Sequence, residues 1–350
     1  MVLDNNNFNT HIMKKVISIL LVLIIPIAIA CDKDDEETQI FNFEVNPKGE
    51  TQVSIDWEHI SDAETIRFTI DTDSNFMDPV VVSEITTETN TITLDGLDPV
   101  TDYLLKIEVE RSGEILWSEI QEFTSFYTVE AVKYPSTDDV EICATLSYVS
   151  TKLNSSSRTA IFLHEFMMSK SSWGTTYIKD TLLREGYLCV AIDFRGHGCS
   201  VFSGDNTTLI DMPWQLREDF DATLDFLETV ELERSNEIVV FGASMGACVA
   251  TMASSYENVI GGVAASAVES ISANMAEGNF APKGMYYLAG ELDKNESLDI
   301  DYERDAIALF NGSEEPKKYE IKQNTPAHGV AILEGDTELI SKAIDWVRNL

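Results

Sequence analysis

Two patterns of apolar and polar positions divide this chain. Between residues 40 and 125 apolar positions alternate with polar ones, as in TQVSIDW (51–57), IRFTIDT (66–72), NTITLDGL (90–97) and YLLKIEVE (103–110). A period of two turns one face of a strand inward and the other to water. Turn formers separate the runs, at Asn46-Pro47-Lys48-Gly49 and Asp95-Gly96. About seven short strands at this spacing predict an all-β sandwich over 40–125. From Tyr127 the pattern changes. EICATLSYV (141–149), TAIFLHEF (159–166), YLCVAIDF (187–194), EIVVFGAS (237–244), VIGGVAASAV (259–268), MYYLAG (285–290) and KKYEIKQ (317–323) have strand length. The central runs are apolar nearly throughout, as strands covered on both faces are. Helical spacing appears between them, with apolar residues at 216, 220, 224 and 227 in the segment 214–231, and AIDWVRNL closes the chain. This alternation predicts a mainly parallel sheet with helices on both faces over 127–350.

The first thirty residues follow neither pattern. From Met13 the chain reads MKKVISILLVLIIPIAIAC. Two lysines precede an apolar run that Pro26 interrupts and that small residues close before Cys31. The run is short for a membrane-spanning helix and predicts an export signal over 1–30. It resembles the signal peptide of a bacterial lipoprotein, which implies cleavage before Cys31 and lipidation of that cysteine. DKDDEE follows, and residues 31–39 read as a solvated acidic linker. The lysine-then-acidic start is also similar to the tag of surface-displayed lipoproteins of the Bacteroidetes group. The implied location is the outer membrane, facing outward, with the periplasmic face as the alternative. The implied membrane partner is the bilayer, held through acyl chains on Cys31.

Charge narrows the partners. With 24 Lys plus Arg against 60 Asp plus Glu the formal net charge is -36. Such a surface repels nucleic acid, which is excluded as a partner, and favours neutral or cationic ones. Five cysteines without a C-x-x-C pair give no zinc or thioredoxin-type pattern. Apart from Cys31, buried free thiols are the default for the cysteines at 143, 189 and 248, and Cys199 falls in a loop.

Candidate chemistry centres on Gly242-Ala243-Ser244-Met245-Gly246. It joins the predicted strand EIVVF to a small-residue helix, the setting that a G-x-S-x-G nucleophile turn requires. A serine there stands at a helix N-terminus, which favours developing negative charge. Of the five histidines, at 11, 59, 164, 197 and 328, only His328 follows Ser244. It lies in Pro326-Ala327-His328-Gly329-Val330, after the last strand. Before it, LAGELDKN carries two carboxylates, Asp293 and Glu291, and Glu269 follows the preceding strand as a more distant choice of acid. Asp193-Phe194-Arg195-Gly196-His197-Gly198-Cys199-Ser200 adds a D-x-R-G-H-G-x-S turn.

In this order the motifs resemble a serine α/β-hydrolase over residues 130–350, of the esterase and dienelactone-hydrolase type. The resemblance implies a triad of Ser244, Asp293 and His328, with Asp293 the better match to the family's loop. It implies an oxyanion hole from the backbone N–H groups of Met245 and Phe166, and no metal or organic cofactor. His164-Glu165 stands where His-Gly is commoner, as in dienelactone hydrolase, so Glu165 could contact substrate or restrain Arg195. His164 and the D-x-R-G-H-G-x-S turn would be structural. Met168, Trp173, Phe202 and Trp214 could line an acyl pocket. Small-molecule or glycan-linked esters are the expected substrates. A peptidase or thioesterase of the same fold, or a non-catalytic surface-binding protein, is the alternative.

In the N-terminal segment, Trp57 ends the second strand and Leu97-Asp98-Pro99-Val100-Thr101-Asp102-Tyr103 reads as a corner into the next. This run resembles a fibronectin type III domain, which implies a spacer or a platform for a surface polymer.

Overall fold

A computed structural model describes residues 41–350 other than 59, 61, 62, 87, 88, 137–139, 202–212 and 277–279. The expected export signal, Cys31, the acidic linker and Phe202 lie outside the described residues. The chain divides into two compact units. One takes the described residues up to Asn46, with Ile55–Leu94 and Tyr103–Phe123; the other takes Pro47–Ser54, Asp95–Asp102 and Thr124–Leu350.

The N-terminal part is built from seven strands: β1 (Phe43–Lys48), β2 (Gln52–Trp57), β3 (Thr65–Asp71), β4 (Val81–Thr86), β5 (Thr91–Asp95), β6 (Asp102–Arg111) and β7 (Glu114–Thr124). They form a three-stranded sheet in the order β1-β2-β5 and a four-stranded sheet in the order β4-β3-β6-β7. The alternating residues Ile66, Phe68 and Ile70 of β3 and Leu105, Ile107 and Val109 of β6 are buried. Trp57 of the smaller sheet meets Phe68 of the larger at a ring separation of 5.5 Å. One large aromatic thus reaches from sheet to sheet.

The C-terminal part carries β8 (Thr128–Pro135), β9 (Glu141–Tyr148), β10 (Thr159–Leu163), β11 (Leu188–Asp193), β12 (Ile238–Ala243), β13 (Val259–Ala265), β14 (Lys283–Gly290), the two-residue strands β15 (Lys294–Asn295) and β16 (Ile300–Asp301), and β17 (Glu314–Lys322). Eight of these make one sheet in the order β17-β14-β13-β12-β10-β11-β9-β8. β8 and β9 pair antiparallel, as do β9 and β11, and the pairs from β11 to β17 are parallel. β8 is an addition to the strands read from the sequence; it is an edge strand with much of its length exposed, so its apolar pattern is weak. Its helices are α1 (Ile178–Arg184), α2 (Trp214–Thr229), α3 (Met245–Ala253), α4 (Glu269–Met275), α5 (Tyr302–Gly312) and α6 (Thr337–Arg348). From Gly246 to Ala253, α3 is buried on every side, as a helix of Ala, Cys, Val and Met against a sheet must be.

Register sets the site. Leu163 at the end of β10 lies beside Gly242 of β12, Ala243 beside Ala265 of β13, and Ala265 beside Leu288 of β14. The loops that follow these strands therefore leave the sheet at one level and side by side, at its carboxyl edge. Near that edge Cys143 of β9 is disulfide-bonded to Cys199, in the turn after β11. This corrects the expectation of free thiols at 143: only Cys189 and Cys248 are free among the described residues, and both are buried. Periodicity carries no information on pairing, which needs two side chains brought together by the fold.

Candidate active site

Between β12 and α3 the chain turns on Ser244, whose backbone has φ 50° and ψ −113°. A non-glycine residue at positive φ is strained and needs surroundings that hold it. The Ser244 N–H donates to the Ala265 carbonyl at 2.8 Å, and its own carbonyl accepts the Cys248 N–H at 3.1 Å. Both flanking glycines are required by space. A methyl group on Gly242 would stand 2.2 Å from the Gly246 carbonyl oxygen, and one on Gly246 would stand 2.3 Å from the Leu163 carbonyl oxygen. Only bare backbone lets strand and helix close on the serine.

The Ser244 hydroxyl is 2.7 Å from His328 Nε2. His328 Nδ1 is 2.9 and 3.0 Å from the two oxygens of Asp293. Asp293 is buried and its Oδ2 also accepts the Ser266 hydroxyl at 2.7 Å. A carboxylate used as an acceptor in this way leaves Nδ1 as the donor, so Nε2 faces Ser244 with its lone pair. Ser266, at the end of β13, in turn accepts the Gly329 N–H at 3.0 Å and so anchors the residue after His328. Tyr302, the first residue of α5, lies edge-to-face on the His328 ring at 4.6 Å. Burial, and then the negative charge of Asp293, pushes its phenol up to about 12, so it stays a neutral donor.

Of the two carboxylates in LAGELDKN, Asp293 reaches the imidazole, whereas Glu291 accepts the Asn324 N–H at 2.7 Å. Glu165 does not restrain Arg195. Its Oε1 accepts the Val330 N–H at 2.7 Å, tying the loop after β10 to the His328 loop. Arg195 is fully buried against Asp219 of α2, with Nε at 2.9 Å and Nη2 at 2.7 Å from Oδ1. His164 is buried between the Glu165 carbonyl (2.6 Å from Nδ1) and the Phe194 N–H (3.0 Å from Nε2). Asp193 accepts the backbone N–H groups of Lys170 at 2.7 Å and Cys199 at 3.1 Å, and its own carbonyl accepts the Ser200 hydroxyl at 2.6 Å. The D-x-R-G-H-G-x-S turn is thus a network of local bonds.

A cavity of about 280 Å³ opens beside Ser244 and His328. Met245, Phe166 and Glu165 line it, and no bond from the Met245 or Phe166 N–H to a backbone acceptor is among those of the described residues. Its other walls are apolar, with Leu216 from α2, Val268, Ile271 and Met275 at α4, and Leu298 and Ile300 between Asp293 and α5. Three residues expected there are elsewhere. Trp173 is in the core, with its ring N–H on the Leu163 carbonyl at 3.1 Å; Met168 and Trp214 are exposed and line no part of the cavity. Aromatic or apolar character alone does not say which way a loop residue faces. Ser266 and Tyr302 were missed by sequence reasoning. A polar residue ending the strand next to the serine turn was the available signal for Ser266; Tyr302 carried none.

Residues 160–331 match the model of the α/β-hydrolase family. No curated protein matches the chain. Among solved structures, an esterase of Pyrococcus furiosus is 20% identical, over 64% of this chain and 93% of that one, with a TM-score of 0.49. A dienelactone hydrolase of Anabaena variabilis is 16% identical, over 64% and 98%, with a TM-score of 0.47. An α/β serine hydrolase without a lid from Xanthomonas campestris is 15% identical, over 63% and 94%, with a TM-score of 0.47. The strand order, the loops at the carboxyl edge and the match over 160–331 identify the C-terminal part of this chain as an α/β-hydrolase fold.

Proposed function

We propose that the C-terminal unit is a serine hydrolase that cleaves carboxylic esters through an acyl-enzyme. The observation that carries this is the hydrogen-bonded chain Ser244–His328–Asp293 at the mouth of an apolar cavity. Ser244 Oγ attacks the ester carbonyl as His328 Nε2 takes its proton. Asp293 holds the imidazole with Nδ1–H toward itself and stabilises the imidazolium. The oxyanion accepts the N–H groups of Met245 and Phe166. The C–O bond to the alcohol breaks and His328 returns the proton to the departing oxygen. Water, deprotonated by His328, then attacks the acyl-serine; the acid leaves and Ser244 regains its proton.

Ser244→Ala should abolish covalent labelling by a fluorophosphonate and lower ester hydrolysis by about four to six powers of ten. Labelling of the variant equal to that of the wild type would exclude Ser244 as the nucleophile.

We also propose that the chain is an outer-membrane lipoprotein held by Cys31, with its N-terminal unit a fibronectin type III-like spacer or surface-polymer platform. The signal-like segment before Cys31 supports the first part. The strand orders β1-β2-β5 and β4-β3-β6-β7 support the second. Cys31→Ser should abolish incorporation of labelled fatty acid into the protein; incorporation equal to that of the wild type would refute lipid anchoring at Cys31.

A further inference from the structure

The walls of the cavity say which acyl group fits. Besides Ser244, the polar side chains that line it are Glu165, Asn295, Tyr302 and His328; no lysine or arginine lines it among the described residues. A carboxylate or phosphate on the acyl group would therefore be taken from water without a cationic partner, beside Glu165, in a chain of net charge -36. Much of the remaining wall is aliphatic, from Leu216, Val268, Ile271, Met275, Leu298 and Ile300. The cavity, about 280 Å³, is lined along this wall by six aliphatic side chains, more apolar surface than a two-carbon acyl group can cover.

We infer that the acyl group received by Ser244 is an uncharged aliphatic chain several carbons longer than acetyl. Acetyl groups, with two carbons, would leave most of this wall uncovered. Dicarboxylic half-esters would bury an unpaired charge. This inference rests on the serine-hydrolase reading of the same site.

The test is a series of p-nitrophenyl esters from acetate to dodecanoate, below their aggregation concentrations. It adds the mono-p-nitrophenyl ester of suberic acid, matched in length to octanoate. Burial of each added methylene should raise kcat/KM about fourfold from acetate to hexanoate or octanoate, and the rise should stop or reverse by dodecanoate. The suberate ester should fall at least about 100-fold below octanoate. Ile271→Trp and, separately, Leu298→Trp fill part of the cavity from a helix and from an exposed loop, and at least one should move the optimum to shorter chains. Titration with a small fluorophosphonate counts the reactive serine in each preparation, so a misfolded variant is recognised. An acetate-first or flat profile in protein that labels normally overturns the acyl assignment alone. So does an equal rate on the suberate ester, or an unmoved optimum in both labelled variants. Absence of labelling in the wild type overturns the serine-hydrolase reading itself.

Discussion

Both ring nitrogens of His164 are occupied, one toward the Glu165 carbonyl and one toward the Phe194 N–H. Burial pushes this imidazole down to about 4, from an ordinary value of 6.5. The folded form has no room for a second ring proton, whereas the unfolded chain takes one readily below pH 6.5. Stability is therefore full above about pH 6.5 and is lost as the pH falls toward about 4, by roughly 3 kcal/mol from this group. His164→Gln, stable or not at neutral pH, should lose less between pH 6.5 and 4, as read from urea unfolding at each pH. Equal losses in the two proteins would assign the acid sensitivity to other groups. At this scale the order of serine, acid and histidine was readable because a single histidine follows Ser244. The partner of Glu165 was not, because Val330 lies 165 positions along the chain and only the fold brings it near.

Helix α3 approaches β10 closely at Gly246. The atom that a Cβ there would strike is a backbone oxygen of a strand paired on both sides, which cannot retreat. Gly246→Ala should cost about 3 kcal/mol or more, well above the few tenths typical of an exposed site, and calorimetry should show the fall in Tm. An unchanged Tm would mean that the helix and the strand are not held this closely. The buried strands β10, β11, β12 and β14 were legible because continuous apolar runs mean burial on both faces. Helices α1 and α4 were not, since seven residues span barely two turns and show too little of a period. β8 was hidden by its exposure at the sheet edge.

For the whole molecule, a net charge of -36 means that compaction gathers like charges. Salt shortens the reach of that repulsion from about 30 Å at 0.01 M to about 10 Å at 0.1 M. Tm at pH 7 should therefore rise with sodium chloride over this range; a fall would show that the surface ion pairs outweigh the repulsion. The bond between Cys143 and Cys199 bears on the molecule's history. Disulfides of this kind form in oxidising surroundings and are rare in a reducing cytosol. Beyond Cys31 the chain has four cysteines, two of them paired and two buried as free thiols. A chain folded in the cytosol, with Cys31 unlipidated, would show five thiols after denaturation, and one folded after export with Cys31 lipidated would show two. A thiol count on denatured protein thus records the compartment in which each molecule folded.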